Sequence, residues 1–405
     1  MAGIKAVMTE SSVEKQTTPW AQRVADIQSF KVMDLLRRAK ELEASGRDVI
    51  HMEIGEPDFS TAEPIVRAGQ QALADGLTQY TPALGIQPLR QAIASFYRQR
   101  YDLDLDPARV VVTPGGSGAL LLLSALLVDP GKTLMMADPA YPCNRQFLRL
   151  VEARAKLVPT EPDNGFCLTP NAVRSAWDKS CAGLLLASPA NPTGVVIAEA
   201  DLRALCDTVR ELGGHLLVDE IYHGLSYGME APSVLQVDDD AFVLNSFSKY
   251  FGMTGWRLGW VVAPQAAVPE LEKLAQNLYI SAPSVAQYAA LACFEADTLA
   301  ILEQRRASFA ERRDYLLPAL RELGMHIPFA PQGAFYIYAD ASALTDDTFR
   351  FCFDLLEAEG VAITPGLDFG SHHAERYIRF AYTTSMTNLQ RAVERIRRFI
   401  GGCQA

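Results

Sequence analysis

The sequence predicts an α/β protein: a large three-layer domain, built on a mostly parallel sheet of about seven strands, and a smaller α+β domain. Between about residues 60 and 295, short runs rich in Val and Leu alternate with helical segments, and the runs end at Gly, Pro, Asn, Asp or Ser. Continuous apolar strands that alternate with helices are typical of a parallel sheet covered on both faces. After residue 298 the pattern changes to one long helix followed by mixed strands and helices.

Seven segments fit the predicted sheet. Each is short, rich in aliphatic residues and bounded by turn-forming residues. Helical patterns lie between several of them, over 117–128, 143–152 and 199–212. The strands are predicted at 109–114, 133–139, 154–160, 183–189, 215–220, 241–247 and 257–263.

The flanking segments predict the smaller domain. Residues 21–45 have a helical pattern. One helix is expected over 298–325 and another over 387–400, where apolar residues recur at helical spacing. The predicted domains are therefore 50–297 for the large domain, and 1–49 together with 298–405 for the small domain.

Composition and charge restrict the function. The chain of 405 residues has 37 basic and 48 acidic residues, a net charge of −11, and no long basic run. Nucleic acid is therefore not an expected partner, because its binding needs a clustered basic patch. The seven cysteines are scattered without a CxxC pair, which predicts reduced thiols.

Neither a membrane segment nor a metal site is expected. The N-terminus lacks the apolar core of a signal peptide, and the longest apolar run, 119–128, is too short to span a bilayer. A cytoplasmic location is the resulting expectation. His372 and His373 are adjacent but lack a third ligand in the sequence, so we interpret them as loop residues.

Polar residues follow five of the predicted strands. Ligands of open parallel sheets bind at the carboxyl ends of strands, so these residues are expected to meet in one cleft. The glycine-rich turn at 115–119 opens a helix whose free N–H groups would bind an anion. An ordinary strand-to-helix turn also fits it, because it matches neither GxGxxG nor GxxxxGK[ST]. The other strand ends present Tyr141, Asn191, Asp219, Tyr222, Ser246, Ser248 and Lys249.

One part of this set fits a phosphate and a reactive amine. Ser246, Ser248 and Arg257 offer hydroxyl groups and a forked cation that suit a phosphate. A lysine in a cleft loses hydration, which lowers its pKa and makes a neutral amine available for a Schiff base. Lys249 stands at such a position.

The other part fits a pyridine ring. Asp219, expected two or three strands away from Lys249, would keep a ring nitrogen protonated. Asn191 and Tyr222 would hydrogen-bond the phenolic oxygen of the ring, and Tyr141 would stack on its face. Phosphate site, amine and ring site together describe pyridoxal 5′-phosphate (PLP).

Nine sequence blocks, in order, resemble the class I/II PLP-dependent aminotransferases of fold type I, the aspartate aminotransferase superfamily. The resemblance covers nearly the whole chain. The blocks are GEPDF (55–59), YTPALGIQPLRQAI (80–93), GGSGAL (115–120), DPAYP (138–142), SPANPTG (188–194), VDEIYHGLSY (218–227), SFSKYFGMTGWRLGW (246–260), GAFY (333–336) and YIRFAY (377–382).

The resemblance implies a role for each matching position. Lys249 would carry the cofactor and move the proton between the substrate Cα and the cofactor C4′, with Asp219 and Tyr222 as the other catalytic residues. Tyr80 would reach the phosphate in a neighbouring subunit, which implies a homodimer with shared sites. The implied cofactor-binding set is Gly116, Ser117, Tyr141, Asn191, Asp219, Tyr222, Ser246, Ser248, Lys249, Arg257 and Tyr80, and the substrate-binding set is Gly55, Asn191 and Arg379.

Taken singly, several of these residues have simpler interpretations. Arg379 alone would be a solvated strand arginine, Asp219 a helix N-cap and Tyr222 a half-buried aromatic residue. Glu220 is expected to serve local structure, and His223 receives no role. The order of the motifs favours the functional interpretation.

The implied activity is transamination from an L-amino acid to a 2-oxo acid, 2-oxoglutarate by analogy, with ping-pong kinetics. Another fold-type I enzyme, such as a C–S β-lyase, shares the same motifs. A transcription regulator would need a DNA-binding domain, for which the first 60 or so residues show no helix-turn-helix pattern. A dinucleotide-binding protein would leave Lys249 unexplained.

Substrate choice depends on two positions. Some aspartate-preferring relatives have lysine where this chain has Ser117, and the common pattern has asparagine where it has Ala282. A neutral or aromatic amino acid is therefore favoured over aspartate.

Overall fold

The structure, a computed structural model, describes residues 20–27 and 29–403. The strands are β1 (Ile50–His51), β2 (Val110–Thr113), β3 (Thr133–Asp138), β4 (Arg154–Pro159), β5 (Cys181–Ala187), β6 (His215–Asp219), β7 (Phe242–Ser246), β8 (Gly259–Val262), β9 (Tyr336–Asp340), β10 (Val361–Ala362), β11 (Thr364–Pro365) and β12 (Tyr377–Ala381). The helices are α1 (Gln22–Ala25), α2 (Lys31–Ala44), α3 (Glu63–Ala74), α4 (Gln87–Tyr101), α5 (Gly115–Leu127), α6 (Cys143–Leu150), α7 (Pro170–Ala176), α8 (Glu199–Glu211), α9 (Val268–Leu278), α10 (Ser284–Ala290), α11 (Ala296–Glu322), α12 (Thr348–Glu359) and α13 (Met386–Cys403).

The central sheet has seven strands in the order β2-β8-β7-β6-β5-β3-β4. Strands β4, β3, β5, β6 and β7 pair in parallel, and β8 runs antiparallel to both of its neighbours. All seven predicted segments form these strands, with ends that agree within two residues. The α/β class and the mostly parallel sheet are therefore confirmed.

Helices cover both faces of this sheet. Val111 of β2 packs in one cluster with Leu123 of α5 and Leu271 of α9. Its neighbours Val110 and Val112 belong to the larger cluster on the other side. Because both faces are buried, successive residues all have an apolar environment, and the strands read as continuous apolar runs.

The segments outside the central sheet form two small sheets and the longest helix. Strand β1 pairs with β10, and β12 lies between β11 and β9. Helix α11 ends at Glu322, and the chain then turns at Gly324 with a φ of +93°. This architecture is consistent with a separate small domain. Its assigned bounds stay a prediction, and residues 1–19 of it lie outside the described part of the chain.

Among residues 20–27 and 29–403, no single helix is long and apolar enough to cross a membrane. One pair that is bent by 83°, Ser284–Phe294 with Ala296–Glu322, meets the length and composition limits together.

Candidate active site

A cleft of about 360 Å³ opens at the carboxyl ends of β5, β6 and β7. Its volume is within the range of small-molecule sites. Eleven of the residues singled out from the sequence line it together: Gly55, Gly116, Ser117, Tyr141, Asn191, Asp219, Tyr222, Ser248, Lys249, Arg257 and Arg379.

Lys249 lies in this cleft just after β7. Its Nζ donates a 2.6 Å hydrogen bond to the carbonyl oxygen of Gly55. Burial lowers the pKa of the amine to about 8, and Arg379 and Arg257 act in the same direction while Glu56 opposes them. A large share of this amine is therefore neutral near pH 8, as a nucleophilic lysine requires.

Gly55 brings the N-terminal segment close to this amine. A side chain at position 55 would overlap the hydroxyl of Tyr336, so the approach requires a glycine. Tyr336 belongs to the GAFY block but received no role from the sequence. It lines the cleft on β9.

Asp219 ends β6, directly beside β7 in the sheet. The expectation that it stands two or three strands away from Lys249 is wrong, because β6 and β7, which follow one another in the chain, also pair directly in the sheet. Its carboxylate accepts a 3.0 Å hydrogen bond from the N–H of Ile221. Burial raises the pKa of Asp219 to about 7, and a cationic N–H in the cleft would stabilise the ionised form.

One corner of the cleft is built for an anion. Gly116 and Ser117 begin α5, where backbone N–H groups lack helical partners. Gly115 has a φ of +72°, and a Cβ there would overlap the Arg257 guanidinium. Arg257 is therefore held against the start of this helix.

The backbone at Arg257 differs from the expectation. The sequence places it inside an extended run, but it has a left-handed φ of +53° and precedes β8 by two residues. Its guanidinium donates to the carbonyl oxygen of Thr254 at 2.7 Å.

The two serines of the anion corner differ in exposure to the cleft. Ser248 lines it, whereas Ser246 does not. The Ser246 Oγ lies 2.9 Å from the Ser248 Oγ and accepts the Ser248 N–H at 3.0 Å. Ser246 thus contacts the cleft through Ser248.

Arg379 is buried on β12, with 6% of its surface exposed. Its Nη1 donates to Asn191 Oδ1 at 3.0 Å and its Nη2 to the carbonyl oxygen of Glu53 at 2.5 Å. The guanidinium lies between the rings of Tyr336 and Phe369, 4.3 and 4.7 Å from their centroids. Its buried Nε has no acceptor within the described structure, a geometry that fits a carboxylate ligand.

Two tyrosines complete the ring side of the cleft. The hydroxyl of Tyr222 lies 2.8 Å from that of Tyr336, and burial holds the pKa of Tyr222 well above its usual value. The thiol of Cys143 donates to the Tyr141 hydroxyl at 2.9 Å. Both phenols therefore remain protonated hydrogen-bonding groups at neutral pH.

Tyr80 does not line the cleft of a single chain. Its ring is 79% exposed. The predicted contact with a neighbouring subunit stays a prediction.

Two buried polar residues serve local structure. Glu220 accepts hydrogen bonds from Ser233 Oγ at 3.0 Å and from the N–H of Val234 at 2.8 Å. His223 lies 2.8 Å from the hydroxyl of Tyr101, and burial lowers the pKa of its imidazole to about 3. Neither lines the cleft.

His372 contacts Glu161 at 2.8 Å in a loop, as expected. Over the part of the chain that the structure describes, no group of three or more His, Cys, Asp or Glu side chains is arranged to hold a metal ion.

Six further residues of the cleft lining, most of them apolar, were not predicted from the sequence. Five of them are apolar and the sixth, Asp368, acts on backbone N–H groups far away in the chain, so no motif pointed to them. They are Phe30, Val32, Met33, Leu36, Asp368 and Phe369, all of which line the cleft.

This geometry defines an enzyme that uses a phosphate-bearing aldehyde cofactor. The family described as aminotransferase class I and II matches residues 47–396, and the chain belongs to this family. The protein is a transaminase, and its cofactor is PLP.

Two curated relatives and one solved structure show the extent of the similarity. The (5-formylfuran-3-yl)methyl phosphate transaminase of Methanocaldococcus jannaschii is 35% identical over 94% of this chain and 99% of its own. The valine–pyruvate aminotransferase of Mycobacterium tuberculosis is 36% identical over 92% and 96%. A structure of Thermus thermophilus aspartate aminotransferase superposes with a TM-score of 0.89 at 34% identity, over 94% of this chain and 100% of that one.

The residues present fit PLP. The start of α5 and Arg257 offer an anion site, and Asp219 offers a buried carboxylate in the same cleft. The Lys249 amine stands in the same cleft. When bound, PLP supplies an electron sink that stabilises negative charge at the substrate Cα.

Proposed function

We propose that this transaminase works by a ping-pong mechanism in which Lys249 carries the cofactor and transfers the proton. The amino group of an L-amino acid is first transferred to the cofactor and then to a 2-oxo acid at the same site. The observation that carries this proposal is the burial of the Lys249 amine in the same cleft as Asp219 and Arg379, which also lowers its pKa to about 8. A neutral amine near working pH is suited to accept and return a proton.

The other residues would bind and orient. Asp219 would accept the N–H of the ring nitrogen, and Asn191 and Tyr222 would hydrogen-bond the ring oxygen. Tyr141 would cover the ring face. The anion corner would hold the phosphate through Gly116, Ser117, Ser248 and Arg257, with Ser246 supporting Ser248.

Arg379 would bind the substrate α-carboxylate. Its hydrogen bonds to Asn191 and Glu53 and its position between two aromatic rings fix the plane of the guanidinium, and its Nε is left without a partner in the described structure. Asn191 and Gly55 would complete this subsite. A carboxylate held in this way places the substrate Cα near the Lys249 amine.

The donor substrate proposed here is a neutral or aromatic L-amino acid rather than aspartate, and the acceptor is a 2-oxo acid, for which the family resemblance suggests 2-oxoglutarate as the first candidate. Ser117 supports the first part, since it lines the cleft without a positive charge. Ala282 is buried outside the cleft lining, so it does not support a choice between donor substrates. The relatives named above differ in substrate, so their names do not select one.

A homodimer with shared sites is also proposed. The exposed ring of Tyr80 supports it, because an aromatic side chain with 79% of its surface free is available to a second subunit. We also propose the division of the chain into a large domain, 50–297, and a small domain formed by 1–49 and 298–405.

Borohydride trapping tests the role of Lys249. The purified protein should be yellow, and reduction should bleach it and fix the cofactor mass on the peptide that contains Lys249. Lys249→Ala should lower turnover by at least about 10³-fold. Lys273→Ala, which removes an exposed lysine on α9, is the matched control.

Two results would contradict the proposal. One is a Lys249→Ala variant that transaminates at the native rate. The other is release of ammonia and pyruvate from an amino acid, with no new amino acid formed from 2-oxoglutarate, which would indicate a lyase.

A further inference from the structure

The first turn of α2 forms an apolar wall of the cleft. Phe30, Val32, Met33 and Leu36 all line the cavity that holds Lys249. Their side chains are aliphatic or aromatic, whereas the cofactor side of the cleft is polar. We refer to these four residues as the α2 wall.

Asp368 fixes the start of this helix. Its Oδ1 accepts the N–H of Lys31 and its Oδ2 accepts the N–H of Val32, both at 2.8 Å. Phe30, at the N-cap position, has no side-chain oxygen to do this. A carboxylate satisfies free N–H groups at a helix N-terminus and is stabilised by the helix dipole.

Asp368 is itself attached to the large sheet. Arg145 on α6 donates to the carbonyl oxygen of Asp368 at 2.7 Å. A few residues later, Asp138 at the end of β3 accepts the N–H groups of Ser371 and His372 at 3.1 and 3.2 Å. These contacts therefore fix the position of the α2 wall relative to the sheet that carries the cofactor site.

Within the described residues of one subunit, the cleft leaves no unassigned cation for a second carboxylate on the substrate. The basic side chains that line it, among residues 20–27 and 29–403, are Lys249, Arg257 and Arg379. Each already has a role in the proposed function. Asp368, with its negative charge, lines the same region as the α2 wall. Burying a carboxylate without a cationic partner is strongly unfavourable.

We propose that the α2 wall, positioned by Asp368, binds the side chain of the substrate and selects apolar amino acids and apolar 2-oxo acids over those with a distal carboxylate. This inference rests on the proposed transamination at the same site. It replaces 2-oxoglutarate as the preferred acceptor by a 2-oxo acid with an apolar or short side chain.

Substrate and ligand panels on the wild-type enzyme give the first test. The kcat/KM for leucine should exceed that for aspartate by about tenfold or more, and 4-methylpentanoate should bind the holoenzyme more tightly than succinate. Equal or better kinetics with aspartate and 2-oxoglutarate would overturn the wall proposal while leaving transamination intact. An enzyme that holds PLP but converts no amino acid would instead contradict the proposed function.

Asp368→Asn tests the positioning role. Asparagine keeps the shape but offers one oxygen, so one of the two helix N–H groups loses its acceptor. The KM for leucine should rise about three- to tenfold with little change in the kcat for alanine, which does not reach the wall. Asp347→Asn removes the equivalent carboxylate cap from α12, outside the cleft, and should change neither value. An equal loss with both amino acids would refute the positioning role.

Met33→Arg tests the wall directly. Met33 lines the cleft and is 51% exposed, so the substitution is compatible with folding. The new cation should raise the aspartate-to-leucine ratio of kcat/KM about fivefold or more. Asp34→Arg places the same side chain on the neighbouring exposed position, which does not line the cleft. If both variants shift the ratio equally, or neither does, the wall is not where the substrate side chain binds.

Discussion

Tyr222 and Tyr336 share a hydrogen bond of 2.8 Å between their hydroxyl oxygens. The contact joins the loop after β6 to β9, 114 residues later in the chain. It fixes the phenol that is proposed to bind the ring oxygen of the cofactor. Tyr336→Phe should therefore lower kcat/KM about two- to tenfold and shift the pH midpoint of the cofactor absorbance. Tyr338→Phe, on the same strand but outside the cleft lining, is the control and should change neither quantity.

Arg379→Lys should separate geometry from charge. Lysine keeps the positive charge but cannot place paired N–H donors in the plane between Tyr336 and Phe369. We expect kcat/KM for the amino acid to fall about tenfold to a hundredfold, mainly through KM. Arg376→Lys exchanges the same residue types in a half-exposed ion pair with Asp340. A normal KM in the Arg379 variant would exclude this residue as the carboxylate ligand.

The buried carboxylate of Asp219 should make apoenzyme stability depend on pH. Its folded pKa of about 7 lies above the value of the unfolded chain, so the folded state keeps a proton that the unfolded state loses between about pH 4 and 7. Its contribution to stability is present below pH 4 and is lost as the pH rises through 7. Asp219→Asn should raise the Tm of the apoenzyme at pH 8 but not at pH 4.

The control for this experiment is Asp201→Asn, an exposed position on α8. It should leave the pH dependence of Tm unchanged. A wild-type Tm that follows the same pH profile as that of Asp219→Asn would show that the carboxylate is not destabilised by burial. With PLP bound, the same substitution should weaken activity, because the ring nitrogen then loses its acidic partner.

Tyr80 can be tested by exchanging subunits. Tyr80→Ala should weaken PLP binding about tenfold, and Lys249→Ala should be inactive. If each site takes Tyr80 from one subunit and Lys249 from the other, a mixture of the two variants contains hybrid dimers with one complete site. Activity at limiting PLP should then rise after mixing. No rise, despite proven subunit exchange, would place Tyr80 outside the shared site.

The local sequence pattern was sufficient to predict the strands but not which strands pair with one another in the sheet. The seven strands of the central sheet were predicted correctly because burial on both faces makes each strand a continuous apolar run. The separation of Asp219 from Lys249 was wrong because it depends on β6 lying beside β7, which is decided by packing of the whole sheet. The left-handed backbone at Arg257 was likewise missed, because its side chain lies against Gly115, which is far away in the chain, and no local pattern indicates either feature.

The residues missed by the sequence act across long separations. Tyr336 was seen within GAFY, but its partner Tyr222 is 114 residues away. Asp368 contacts backbone N–H groups 336 and 337 residues earlier, and any sequence at those positions except proline offers them. Such a contact has no spacing or composition by which to recognise it.

The α2 wall lies on an element separate from the groups that would hold the cofactor. Those groups stand at the ends of sheet strands, whereas most of the wall belongs to one helix of 14 residues, whose first N–H groups are held by Asp368 and whose Leu35, Ala39 and Leu42 pack in the core. We expect that such a helix can be exchanged for a homologous segment while the residues that carry the chemistry are kept. Grafting α2 from transaminases of other substrate range is thus a direct route to redesigning this one.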